Sequence, residues 1–276
     1  MRWLTSQWIQ SIPALENLVA WVGSRTGLGE IWRKALPTPE NYPKETFRRC
    51  QRLGIFWELD CSQWMDWSAY FIGPSPEDSY LFSLAKQGDT IIDAGGNIGL
   101  CALPLSKKAG ASGRVYAFEP LGKNFQRLEK HVQINQIKNT KIIQAALSDS
   151  RGKVTMVQPS LGNNGAARIF CQGDEDIPST EVDALRLDDW CAEENLNKLD
   201  LLKLDVEGHE PQILLGAEKT IQRFRPKIFL EAHETHLQTH GHSLKKLRQM
   251  LADMSYRTTD VYGDMMHILA EHADSD

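Results

Sequence analysis

Residues 89–100 read DTIIDAGGNIGL. An apolar run ends in Asp93, and three glycines and an asparagine then crowd into five positions before the chain turns apolar again. That order of residues spells a buried strand, a tight turn and the start of a helix. It is the repeating unit of parallel sheets covered by helices on both faces. In such sheets ligands bind beyond the carboxyl ends of the strands, beside the first strand-to-helix turn. Gly95 and Gly99 therefore remove side chains where a bound molecule and the following helix must approach the backbone.

The same alternation continues outward from this stretch. Helix GLCALPLSKKA, strand GRVYAFEP, helix KNFQRLEKHVQINQ and strand TKIIQAAL follow in order. After an interruption come LDLLKLDVEG, helix PQILLGAEKTIQRF, strand PKIFLEAH, helix SLKKLRQMLADM and two short strands in YRTTDVYGDMMHILAEH. Short apolar runs alternating with helical patterns predict an α/β fold with a parallel sheet. The interruption, residues 148–190, alternates like antiparallel strands around a GNNG turn at 162–165 and is expected to lie over an acceptor pocket. Before residue 80 the composition differs: seven of the eight tryptophans fall in residues 1–67, among prolines 37, 39, 43, 74 and 76. Residues 1–79 read as a helical, Trp-rich cap with one strand in GIFWELD (54–60), and residues 80–276 as the main domain.

The chain has 276 residues, 41% of them hydrophobic and 24% charged, with a formal net charge of −5. No basic block stands out, which argues against nucleic acid as a partner. Five widely spaced cysteines contain no C-x-x-C pair and suit reduced thiols in a cytoplasmic setting. Near the N-terminus the apolar runs are only a few residues long, broken by Pro13 and Glu16, so neither a signal peptide nor a membrane span is read there. Leu15, Leu18, Val19 and Val22 fall at helical spacing instead.

Glu119 ends the second strand, twenty residues after Gly99, where a carboxylate can accept bonds from both hydroxyls of a ribose. A dinucleotide and S-adenosylmethionine would both be served by it. The turn distinguishes them. Its spacing is D-x-G-x-N-x-G, with Asn97 where a dinucleotide fingerprint carries its middle glycine. Asp93 at the strand exit would repel a pyrophosphate and suits an ammonium and a sulfonium. The methyl donor is the better reading, ahead of an NAD-dependent oxidoreductase.

DTIIDAGGNIG, VYAFEP, AALSD, LLKLDVEGHE, GAEKTI and PKIFLEAH, in that order, resemble the FkbM family of S-adenosylmethionine-dependent methyltransferases over roughly residues 80–235. The resemblance implies a class I methyltransferase fold: a Rossmann-like seven-stranded sheet with helices on both faces and its last strand antiparallel. It also implies O-methylation of a sugar, a glycan or a hydroxyl on a secondary metabolite. Carried onto this chain, Asp93, Gly95, Asn97 and Gly99 would cradle the methionine part, Glu119 would hold the ribose and Ala146 would border the adenine. Gly96 stands where alanine is also common in the family.

Methyl transfer to oxygen needs a positioned acceptor and a group that removes its proton. KLDVEGHE places Asp205, Glu207 and His209 at and beyond a strand's carboxyl end. His209 is the first candidate base because a free imidazole titrates near neutrality. Glu207, shortly before Pro211, suits equally the first turn of a helix. Glu231 is expected to end the strand beside Asp205, about 5 Å away across the sheet. Two carboxylates that close need a proton, a cation or the acceptor between them, and magnesium held by Asp205 and Glu231 is one solution. HETHLQTHGH (233–242) is not H-E-x-x-H and reads as a solvated loop with His233 near the site. A noncatalytic adenosyl-binding or assembly protein is the alternative, and the intact LKLDVEGHE argues against it.

Overall fold

The computed structural model describes residues 36–159, 162, 163, 165–171, 173–263 and 266–274. The helix expected over residues 15–22 and Asn164 lie outside them. Contacts divide the chain into two compact units, Met1–Pro76 with Ser160–Gly165 and Glu77–Pro159 with Ala166–Asp276.

In the first unit, β1 (Phe47–Arg52) and β2 (Ile55–Asp60) form an antiparallel hairpin. Leu53 and Gly54 join them with φ of 51° and 69°, the two left-handed residues that suit a strand-twisting hairpin turn. The described part of this region is therefore not purely helical. The strand in GIFWELD is present, but its partner FRRCQR was not legible because its side chains are exposed or half-buried and carry no apolar alternation. Helix α1 (Trp64–Phe71) buries Trp67, Tyr70 and Phe71, and α2 (Pro76–Leu84), all but its first residue in the second unit, follows.

The second unit runs β3 (Thr90–Ala94), α3 (Ala102–Ala109), β4 (Arg114–Phe118), α4 (Gly122–Ile134) and β5 (Thr140–Ile143). Four short strands follow, β6 (Ala146–Ser148), β7 (Gly152–Val157), β8 (Arg168–Ile169) and β9 (Ser179–Arg186), then α5 (Leu187–Glu193). The chain ends with β10 (Leu201–Leu204), α6 (Glu210–Gly216), α7 (Glu218–Phe224), β11 (Lys227–Glu231), α8 (Glu234–Thr239), α9 (Leu244–Asp253), β12 (Tyr256–Asp260) and β13 (His267–His272).

Seven strands form one sheet in the order β12-β13-β11-β10-β3-β4-β5, with β13 antiparallel to both neighbours. This is the class I methyltransferase arrangement. The central strands β3 and β10 are buried at every residue, as strands covered on both faces must be. Ile92, Leu202, Leu204, Ile228 and Leu230 pack with Trp190, Leu214, Leu247 and Leu251 in one core. Among the described residues, no helix is long and apolar enough to cross a membrane.

Four departures from the sequence reading bear on the site. TKIIQAAL is two strands: the chain turns at Gln144, with Ala145 N donating to Ile143 O, and β6 leaves the large sheet. The insertion is a four-stranded sheet, β6-β9-β7-β8, antiparallel except where β6 pairs parallel with β9. A long connection through β7 and β8 separates those two strands, which parallel pairing requires. PQILLGAEKTIQRF is broken at Ala217 into α6 and α7. HETHLQTHGH contains the short helix α8 instead of being loop throughout.

Candidate active site

Two charged residues stand inside the buried central strands. Asp93 on β3 is 0% exposed and Lys203 on β10 is 3% exposed. The strands pair with Lys203 opposite Asp93, and Lys203 Nζ lies 3.0 Å from Asp93 Oδ1. The same ammonium reaches Asp205 Oδ2 at 3.1 Å and the carbonyl of Gly95 at 3.2 Å. Burial opposes the charge of Lys203, but Asp205 and Asp93 outweigh it and hold its pKa well above the ordinary lysine value. For Asp93 burial is the larger effect and raises its pKa against the pull of Lys203. The sequence reading set Asp93 against the cations of a cofactor; the fold gives that carboxylate a resident cation.

The glycine turn is crowded chiefly by the protein itself. A Cβ on Gly95 would meet the Asp205 carbonyl oxygen at 2.0 Å, and Gly95 has φ of +82°. A Cβ on Gly99 (φ +96°) would meet Leu103 at 2.5 Å and Leu128 at 2.6 Å. The expected helix packing at Gly99 is present, whereas at Gly95 the close neighbour is the end of the adjacent strand. Gly96 is looser: its Cβ would touch Ala117 and Leu128 at 3.3 Å.

Asn97 takes a left-handed φ of 46°, which turns its amide toward Glu119 Oε2 at 2.8 Å. The other oxygen of Glu119 accepts from Leu121 N at 2.8 Å. Burial raises the Glu119 pKa to about 7, against hydrogen bonds from Leu121, Asn97 and Asn124. Asn97 Oδ1 is buried without a hydrogen-bond partner among the described residues. A buried acceptor left open beside a carboxylate at the tip of β4 fits a ligand that brings hydroxyl and ammonium donors, as the ribose and methionine parts of S-adenosylmethionine do. Ala146 is buried at the start of β6 against Met156 and Val182.

Beyond β10 and β11 the acidic residues converge. Leu204 pairs with Leu230, so Asp205 and Glu231 are the next residues along adjacent parallel strands. The repulsion foreseen between them is met by the protein's own groups. Lys203 holds Asp205, while Glu231 Oε1 lies 3.2 Å from His233 Nε2 and Oε2 lies 3.5 Å from His267 Nε2. Burial raises the Glu231 pKa, but the two histidines outweigh it and take the carboxyl well below its usual range. Burial raises that of Asp205, with Lys203 opposing and Glu231 adding. The side chains of Asp205, Glu231 and His233 keep 31%, 34% and 30% of their surface, enough for an acceptor to reach them.

The VEGHE turn completes this floor. Glu207 and Gly208 have φ of 56° and 101°, so α6 begins only at Glu210 and Glu207 stands before it. The place expected for Glu207 in the helix's first turn belongs to Glu210, whose buried carboxylate accepts from Val206 N and Gly208 N at 3.2 Å. Burial raises the Glu210 pKa to about 7. A side chain on Gly208 would strike the His236 carbonyl at 2.6 Å. That close approach sets His236 Nδ1 2.5 Å from Glu207 Oε2. Burial first, then the neighbouring Asp205 charge, raises the Glu207 pKa.

His209 points elsewhere. It is 8% exposed, its Nε2 lies 3.0 Å from Ser148 Oγ, and its ring meets His240 edge-on. Burial and the neighbouring His240 lower its pKa to about 4. The near-neutral titration that recommended His209 as a base is therefore absent. Among the described residues, no group of three or more His, Cys, Asp or Glu side chains is placed to hold a metal ion. Sequence reasoning missed Lys203, Glu210, His236 and His267; for Lys203 a signal existed, a charge in the middle of the apolar run LLKL.

The Methyltransferase FkbM domain matches residues 93–258, more than half of the chain. The 2-O-methyltransferase NoeI of Sinorhizobium fredii is 28% identical over 159 residues, covering 51% of this chain and 63% of that protein. The hexuronic acid methyltransferase AglP of Haloferax volcanii is 29% identical over 143 residues, covering 51% and 55%. Methyltransferase 1 of Beauveria bassiana is 27% identical over 168 residues, covering 54% and 62%. The chain thus spans less than two thirds of the length of these relatives. A crystal structure of methyltransferase FkbM from Methylobacillus flagellatus superposes with a TM-score of 0.48 at 16% identity, over 71% of this chain and 50% of that one.

Proposed function

Since the chain belongs to the FkbM methyltransferase family, we propose that it transfers a methyl group from S-adenosylmethionine to a hydroxyl oxygen of a sugar, glycan or similar polyhydroxyl acceptor. The observation that carries this reading is the juxtaposition of two halves at one end of the sheet. The Glu119–Asn97 cradle closes β3 and β4, and the part-exposed carboxylates Asp205 and Glu231 close β10 and β11 beside them. NoeI, a 2-O-methyltransferase, supports an oxygen acceptor, and AglP, a hexuronic acid methyltransferase, supports a sugar-type one.

Glu119 holds the ribose hydroxyls, and Asn97 Oδ1 accepts from the ammonium end. S-adenosylmethionine bound there supplies an electrophilic methyl group. Asp205 and Glu207 hydrogen-bond hydroxyls of the acceptor and fix the reacting oxygen in line, which is the larger part of the catalytic task. His233, oriented through its Nε2 by Glu231, takes the hydroxyl proton, in the way a carboxylate orients a general base. His209 has a structural part in this scheme, on Ser148.

Calorimetry with S-adenosylhomocysteine and with NAD, followed by a screen of hydroxylated sugars with a labelled methyl donor, tests the reading. Micromolar binding of S-adenosylhomocysteine and label recovered on an acceptor oxygen are expected. Tighter binding of NAD, or label recovered only on nitrogen, would reject it.

A further inference from the structure

We propose that Lys203 is a positioning residue, a buried ammonium that ties the glycine turn on the cofactor side to Asp205 on the acceptor side. The proposal rests on the two-sided reading of the site given above. Its geometric basis is independent of any ligand. Lys203 Nζ has three hydrogens and three oxygen neighbours: Asp93 at 3.0 Å, Asp205 at 3.1 Å and the Gly95 carbonyl at 3.2 Å. Asp93 and Gly95 belong to β3 and its turn, whereas Asp205 follows β10.

If the lysine served only to neutralise Asp93, an apolar pair of similar volume would serve the sheet at least as well. The other two bonds are what such a pair could not make. They converge where the ends of β3 and β10 meet: the Asp205 carbonyl lies where a Gly95 side chain would be, and Asp205 N reaches Ala94 O at 3.3 Å. The Gly95 and Gly96 amides in turn donate to Phe118 O at 3.1 and 2.9 Å, just before Glu119. A shift of Lys203 would therefore be passed to Asp205 and through the turn to Glu119. At 3% exposure the lysine has no solvent to fall back on.

Charge and position are separated by variants. Lys203→Met leaves Asp93 buried without its cation and should melt far below the parent protein. Adding Asp93→Asn removes that charge and should recover most of the melting temperature. It should not recover binding: S-adenosylhomocysteine affinity in the double variant is expected to stay about 10-fold or more below the parent, the effect of a lost charge-assisted bond. Asp93→Asn alone keeps Lys203 and is the reference for the double variant, which should bind at least about 10-fold more weakly than it does. Hydrogen exchange of the 93–100 segment should be faster in the double variant and near the parent rate in Asp93→Asn.

Asp93→Asn with Lys203→Gln, which keeps one amide donor in the same space, guards against a folding failure and should fall between the two in affinity. Affinity and exchange matching those of Asp93→Asn in either folded double variant overturn the proposal. So does a failure of both double variants to fold when Asp93→Asn folds, since Lys203 is then a stability element. If the parent protein does not bind S-adenosylhomocysteine, the cofactor reading falls instead, and the exchange measurement decides the proposal alone.

Discussion

The carbonyl oxygen of Asp205 sits 2.0 Å from where a Cβ on Gly95 would be. A glycine in the turn after β3 is thus required by the backbone of the neighbouring strand, in addition to whatever a ligand requires. Gly95→Ala should destabilise the protein by at least about 2 kcal/mol, since it adds a left-handed alanine to a backbone clash. Gly96→Ala has no positive φ and only 3.3 Å contacts, so it should cost less than about 1 kcal/mol. Denaturant melts of the two variants check the contrast, and equal losses would mean that the turn relaxes.

Glu119 links binding to pH. Burial raises its pKa to about 7 in the free protein, and ribose hydroxyls donate to the ionised form. Binding of S-adenosylhomocysteine should therefore release protons near pH 6–7 and tighten as pH rises through about 7. Calorimetry in buffers of different ionisation enthalpy measures the release. Glu119→Gln should abolish that part of it and weaken binding by about 1.5–3 kcal/mol.

His209 should report on stability more than on chemistry. Its folded pKa of about 4 lies below the free value of 6.5, so the unfolded chain binds the extra proton between them. The stability it contributes is present above about pH 6.5 and is lost as pH falls toward 4, up to about 3 kcal/mol. His209→Gln should flatten that limb of the stability–pH curve. Turnover reduced about 100-fold in a well-folded His209→Gln would return this residue to the proton-transfer step.

Glu231 is predicted to matter for turnover and little for cofactor affinity. Glu231→Gln removes the carboxylate that orients His233, and kcat/KM for an identified acceptor should fall about 100-fold or more. Affinity for S-adenosylhomocysteine should remain near the parent value. Because the two oxygens of Glu231 face His233 and His267 and Asp205 is held by Lys203, activity should withstand EDTA. Loss of activity on chelation, restored by magnesium, would instead support the metal bridge between Asp205 and Glu231.

Much of this protein is written locally in its chain. TIIDA and LLKL are buried strands by composition, GLCALPLSKKA turns helical beyond a glycine turn, and Glu119 falls at the tip of the second strand by spacing alone. The seven-stranded α/β fold, its glycine turn and the place of Glu119 beside that turn follow from patterns a few residues long, because strand and helix periodicity and glycine's permissive backbone act over that range. What only the tertiary structure decided depends on partners far apart in sequence. Lys203 meets Asp93 across 110 residues of chain, Gly208 gives way to the backbone of His236, and Glu231 gains His267 from an antiparallel strand. The same holds for His209, which is buried with its Nε2 on Ser148 of a strand outside the main sheet. Residue type alone leaves charge state and orientation open, because both are set by burial and by the groups that folding brings within a few ångströms.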